Sequence, residues 1–140
     1  MDDGLDPIAD DELLYRRVPA SIGWYDAATK MLKSEAFGPN KQRDLTGLSV
    51  FRGKYKSLEQ VARGRAGKSY YVAVLRAGDV RQAGIAVESR PNVAEGYDPA
   101  HAELPELNAS NYKDSITLER QRVLVRLSLR IEGPFDAPQA

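Results

Sequence analysis

The stretch Tyr70-Tyr71-Val72-Ala73-Val74-Leu75-Arg76 decides the fold. It is aromatic, β-branched and apolar without a polar break, which reads as a buried strand. Upstream of it, Ser57 is placed to cap a short helix over 58–63. Gln60, three residues on, completes a capping box, and Gly64 ends the helix. Downstream, residues 78–83 read as one helical turn and 85–88 as another strand. The order of strand, turn and strand implies short helices laid on a sheet rather than a helical bundle.

Working outward, Leu13-Leu14-Tyr15-Arg16-Arg17-Val18 is rich in β-formers and stopped by Pro19, so it reads as a strand. Its two arginines must then point to opposite faces. Residues 21–33 read either as a helical turn or as an irregular crossing. Ser34-Glu35-Ala36-Phe37 reads as a short extended piece, followed by Gly38-Pro39-Asn40 and a polar, exposed loop to Gly47. Residues 48–52 give a second strand, and 90–99, with two prolines, Asn92 and Gly96, give a loop. His101-Ala102-Glu103-Leu104 gives one more short strand before Pro105. A polar linker occupies 106–114.

The last element alternates. Val123, Val125, Leu127, Leu129 and Ile131 fall on one face, with Arg122, Arg126, Ser128 and Arg130 on the other, which predicts a strand of roughly ten residues. Leu124 breaks the alternation and leaves helix as the alternative. The fold class expected is α+β: a single domain with a mainly antiparallel, twisted sheet and one or two short helices. The expected boundaries are an acidic disordered tail at 1–12, the domain at 13–133 and a flexible C-terminal tail at 134–140.

At 140 residues with 42% apolar content, the chain can bury one sizeable core, and a second domain would have no core of its own. Without cysteine it has no disulfide, thiolate metal site, iron–sulfur cluster or cysteine nucleophile. The start has neither a basic region nor a long apolar run, and nothing later approaches a membrane span, so a cytoplasmic protein without membrane contact is expected. Charge is balanced at 20 bases and 20 acids, yet six acids and no base fall in the first twelve residues. The remainder carries 14 acids against 20 bases, a net +6. Such a leader is either solvated and disordered or a decoy for a surface that binds a polyanion.

Few side chains announce chemistry. His101 is the single histidine, and without cysteines or a carboxylate cluster at ligand spacing it makes no metal site. It reads as a general base or as a hydrogen-bonded structural residue. Arg16 and Arg17 read as an anion clamp or as one exposed arginine beside one internal ion pair. Arg120, Arg122, Arg126 and Arg130 form a basic stripe that could track a nucleic-acid backbone, although no aromatic residue is interleaved with them. Gly64-Arg65-Ala66-Gly67-Lys68-Ser69 ends like a phosphate-binding loop. It has Ala62 where that motif needs glycine, and a helix where the motif needs a strand.

Leu14-Tyr15-Arg16-Arg17-Val18, Ser34-x-x-Phe37, Leu48-Ser49-Val50, Val72-Ala73 with Arg81-x-x-Gly84, and Pro99-Ala100-His101-Ala102-Glu103 resemble, in that order, a family of uncharacterised bacterial proteins over residues 13–107. That resemblance implies a bacterial origin and no particular chemistry. The arginine-bearing first strand, then Leu48-Ser49-Val50 and the helix over 58–63, are also similar to compact ADP-ribosyltransferase-like domains. This second resemblance implies that Arg16 or Arg17 holds a dinucleotide, that Ser49 shapes a nicotinamide pocket, and that Glu103 stabilises a positive sugar, with His101 in the same cleft.

Two readings follow. The first is a non-enzymatic accessory module with no cofactor, binding a protein partner, or a nucleic-acid backbone through Arg120, Arg122, Arg126 and Arg130. The alternative is an NAD-dependent transferase in which Arg16, Arg17, Ser49, His101 and Glu103 line one cleft.

Overall fold

A computed structural model describes residues 6–91 and 97–136. The chain forms β1 (Leu13–Pro19), β2 (Tyr25–Asp26), β3 (Met31–Leu32), a one-turn 3-10 helix (Ser34–Phe37), β4 (Leu48–Arg52), α1 (Leu58–Ala62), β5 (Tyr70–Arg76) and α2 (Ala77–Gln82). It continues through β6 (Glu88–Ser89), β7 (His101–Leu104), α3 (Ser115–Leu127) and β8 (Arg130–Phe135). Six strands make one sheet in the order β6-β7-β4-β1-β5-β8, every pair antiparallel, and β2 with β3 makes a small hairpin. This is a single α+β domain.

Period-two alternation divides each strand between two cores. Leu14 and Val18 of β1, Val50 of β4 and Ala73 and Leu75 of β5 face α2, α3 and the 3-10 turn. Tyr15, Phe51, Val72 and Val74 face the smaller helix α1. Strand β5 is buried from Tyr70 to Leu75 because both of its faces are covered. The capping box forms as the sequence predicts: Ser57 Oγ accepts from the Gln60 amide at 3.2 Å, and Gln60 Oε1 accepts from the Ser57 amide at 2.8 Å.

Several expectations are corrected. The ten-residue strand over 122–131 is instead the end of α3 followed by the start of β8. Thr117, Gln121 and Leu124, spaced by four and three, are buried on one helical stripe against the core. Leu124, the residue that breaks the alternation, belongs to that stripe, so tertiary packing overrides β-propensity there. Ser34–Phe37 is a 3-10 turn rather than extended chain, and residues 21–33 hold the β2–β3 hairpin. Of the strand expected at 85–88, only Glu88 pairs, while Ile85 and Val87 pack in the core.

The acidic leader is not a disordered tail from Asp6 onward. Ile8 is 6% exposed and packs in the main core. Glu12 makes a two-pronged ion pair with Arg52, at 2.8 Å from both Nε and Nη2, and the Arg52 side chain is fully buried. Arg52 also donates to the Asp6 carbonyl, Arg81 pairs with Asp10 at 2.8 Å, and Lys54 pairs with Asp6. The Glu12 hydrogen bond, with the attraction of nearby carboxylates, raises the Arg52 pKa above the ordinary arginine value against the opposing effect of burial. At the other end, Pro134 and Phe135 belong to β8, with Phe135 opposite Tyr70. Residues 1–5, 92–96 and 137–140, parts of the expected tail, loop and C-terminal tail, lie outside the described residues.

Removing one member of a buried pair strands the other charge. Glu12→Leu is therefore expected to cost about 3–5 kcal/mol of unfolding free energy in urea titrations. The Glu12→Leu/Arg52→Met double variant should lose less than that single change, and the opposite ranking would show that the pair does not anchor the segment.

Candidate functional site

The site begins where two strands part. β1 stays paired with β5 along all seven of its residues, but with β4 only at Leu14–Arg52 and Tyr15–Phe51. Beyond Tyr15 the Arg16 side chain links the two strands in place of their backbones. Its Nε donates to the Ala36 carbonyl at 3.0 Å and its Nη1 to the Ser49 carbonyl at 2.9 Å. The 3-10 turn is therefore part of the site, and Gln121 of α3 holds it from behind by donating to the Ser34 carbonyl at 3.0 Å.

Registry brings together residues far apart in sequence. Ser49 lies opposite Glu103 and Phe51 opposite His101 across β4 and β7, so all four share one face. Arg17 joins them from β1, its guanidinium 4.8 Å from the centre of the Phe51 ring and 5.8 Å from that of Tyr70. The two arginines of β1 thus do point to opposite faces. Arg16, Arg17, Ser49, His101 and Glu103 all line a single cleft of about 1610 Å³.

A hydrogen-bonded chain orders the centre of this cleft. Ser49 Oγ donates to Asp44 Oδ1 at 3.0 Å, His101 Nε2 lies 3.1 Å from the same Oγ, and His101 Nδ1 lies 2.7 Å from the Arg90 carbonyl. A carbonyl can only accept, so Nδ1 carries a proton. Ser49 has one proton to give, and in this arrangement Asp44 takes it. Glu103 Oε1 accepts from Thr46 Oγ1 at 2.7 Å and has Arg90 Nε at 4.0 Å.

The two arginines differ in what they touch. Arg16 is engaged with backbone carbonyls, whereas Arg17 has no hydrogen-bond partner among the described residues and rests against aromatic rings. Burial lowers both pKa values from the ordinary arginine value, opposed by Asp44 at Arg16 and by Tyr70 and Asp98 at Arg17. A desolvated guanidinium with its donors unpaired is a ready anion site. Gly64 makes room for it: a Cβ there would stand 2.5 Å from Arg17 Nη1 and 2.7 Å from the Tyr70 ring.

Sequence reasoning missed Asp44, which is 4% exposed although it lies in the stretch expected to be an exposed loop. Its Oδ2 accepts from the Asn40 amide at 2.7 Å, and Asn40 Oδ1 accepts from the Gln42 amide at 2.8 Å, an Asx turn that the Asn40 in this polar loop could have signalled. Arg65 and Lys56 also line the cleft, the latter paired with Asp98 at 2.8 Å. The basic stripe does not form as one strand face. Arg120, Arg122 and Arg126 lie on α3 and Arg130 on β8. Glu119 lies 3.3 Å from Arg122 and 3.5 Å from Arg126, and Glu132 lies 3.9 Å from Arg130.

No helix among the described residues is long and apolar enough to cross a membrane. Comparison of the chain with protein-family models, with curated proteins and with solved structures returned no significant match.

Arg16→Lys leaves one ammonium group to serve two carbonyls, and should cost about 1–3 kcal/mol in chemical denaturation. Arg17→Lys breaks no hydrogen bond and should stay within about 0.5 kcal/mol of the parent. Equal losses would contradict the division of labour between these neighbours.

Proposed function

We propose that the cleft binds NAD and transfers its ADP-ribosyl group, cleaving the bond between nicotinamide and ribose. The observation that carries this reading is the convergence of Arg17, Ser49, His101 and Glu103, from three strands, at the split that Arg16 bridges. Each is a residue that the likeness to ADP-ribosyltransferase-like domains implicates, and apart from His101 and Glu103, which share β7, they are far apart in sequence. A concave site with a few convergent polar groups is more than a flat docking module requires, and on that ground we prefer the enzyme to the non-enzymatic reading.

In this reading Arg17, with Arg65 beyond Gly64, takes the pyrophosphate, the only part of NAD with two adjacent negative charges. Ser49 is locked between Asp44 and His101 and keeps one lone pair for a ligand donor, which orients the nicotinamide ribose. Nicotinamide leaves as a neutral ring by keeping the electron pair of the broken bond. Positive charge then develops on the ribose, and the Glu103 carboxylate, held by Thr46, faces it. The acceptor attacks the anomeric carbon and gives up its proton to solvent. His101 keeps Ser49 oriented through the same hydrogen-bonded chain.

Nicotinamide release from NAD by the full chain tests this. Glu103→Gln keeps the shape and the bond to Thr46 while removing the charge, and should slow release by about 100-fold or more. Arg17→Ala should act mainly by raising KM. Release that is absent in the parent, or as fast in Glu103→Gln, would overturn the assignment.

A further inference from the structure

The cleft holds more positive charge and more space than NAD uses. Among its lining cations, Arg16 is committed to carbonyls, Lys56 to Asp98, and Arg90 to Glu88 at 3.2 Å. Four have no carboxylate partner among the described residues: Arg17, Lys41, Arg43 and Arg65. Arg17 and Arg65 answer the two charges of a pyrophosphate, which leaves Lys41 and Arg43. The volume of about 1610 Å³ also exceeds what one small ligand usually fills, roughly 300–1,000 Å³.

The surplus cations share the cleft with aromatic rings. Lys41 comes from the loop that Asp44 closes, and its Nζ lies 5.5 Å from the centre of the Tyr112 ring. Lys113 Nζ lies at the same distance from that ring. Tyr112 and the half-buried Trp24 both line the cleft and are not sealed in the core. Glu35 and Asp44 also line the cleft; Glu35 is exposed, and Asp44 is engaged by Ser49 and the Asn40 amide.

Rings and cations lining one groove match a strand of nucleic acid, whose bases stack while its phosphates meet the ammonium and guanidinium groups. An acidic peptide would meet the charge and leave the rings unused. The aromatic residues absent from the Arg120–Arg130 stripe are present in the cleft lining.

We infer that the part of the cleft lined by Lys41, Arg43, Tyr112 and Trp24 binds single-stranded nucleic acid as the acceptor of the ADP-ribosyl group, an inference that rests on the NAD reading above. A nitrogen of an unpaired base attacks the anomeric carbon and forms the new bond. The bond to nicotinamide breaks with its electron pair on nicotinamide, and the base's proton passes to solvent. Duplex DNA is a poor substrate because its bases are already stacked.

The test uses the full chain and a fluorescently labelled single strand of about twelve mixed-sequence nucleotides, followed by anisotropy across a salt series. Binding should weaken as salt rises. The Lys41→Gln/Arg43→Gln pair should lower the slope of log affinity against log salt by about 1 to 1.5. Tyr112→Ala should weaken binding at least fivefold, by about the worth of one stacked base, with the slope unchanged. Nicotinamide release without oligonucleotide should be the same in all these variants, which also shows that they are folded. With NAD present, the strand should gain the mass of one ADP-ribosyl group, and more slowly in the variants.

No binding at low salt, binding indifferent to these substitutions, or NAD consumed with the oligonucleotide unmodified would overturn the inference while leaving the NAD reading intact. Absence of nicotinamide release under every condition would instead remove the reading beneath it, and the anisotropy arm keeps the two failures distinct.

Discussion

The guanidinium of Arg16 stands where the sheet comes apart. Strands β1 and β4 share only two residue pairs, and past Tyr15 the link between them is this side chain, donating to Ala36 on the 3-10 turn and to Ser49 on β4. An arginine suits the position because its planar fork reaches two carbonyls at once and keeps its charge despite burial. Its support extends outward through the 3-10 turn to Gln121, so helix α3 on the far face of the sheet contributes to the geometry of the cleft. The split creates the concavity, and the side chain that bridges it sets the depth at which Ser49 sits.

Charge is handled by the same economy of partners at both ends of the sheet. Arg52 is fully buried and answered by a two-pronged carboxylate, which fixes residues 6–12 against the domain. Arg17 lacks a hydrogen-bond acceptor among the described residues and rests against Phe51 and Tyr70. A cation that is satisfied internally supports the fold, and one that is desolvated with its donors free waits for a ligand anion. The acidic leader and the basic body therefore meet as specific ion pairs rather than as a screened average charge.

What the sequence made legible was local. The capping box at Ser57 and Gln60, the strands at Tyr70–Arg76, Leu48–Arg52 and His101–Leu104, and the opposed directions of Arg16 and Arg17 all follow from propensity and period. The stretch after residue 121 misled because alternating valines and leucines fit a strand, whereas Leu124 with Gln121 and Thr117 fits a helix packed on a core that no single segment reveals. Asp44 was hidden for a related reason: an acid in a polar loop reads as solvated until the loop is seen folded over Ser49.

By itself the sequence determined the composition of the domain, the strands that would be buried, and the residue types able to clamp an anion or steady a positive sugar. Only the tertiary structure decided that Ser49 faces Glu103, that Phe51 faces His101, and that Arg16 donates to backbone carbonyls while Arg17 rests on aromatic rings. Those outcomes depend on strand order and registry, which are set by the collective burial of two cores. A period of two places a side chain on a face, and it is the pairing of distant strands that chooses its neighbours.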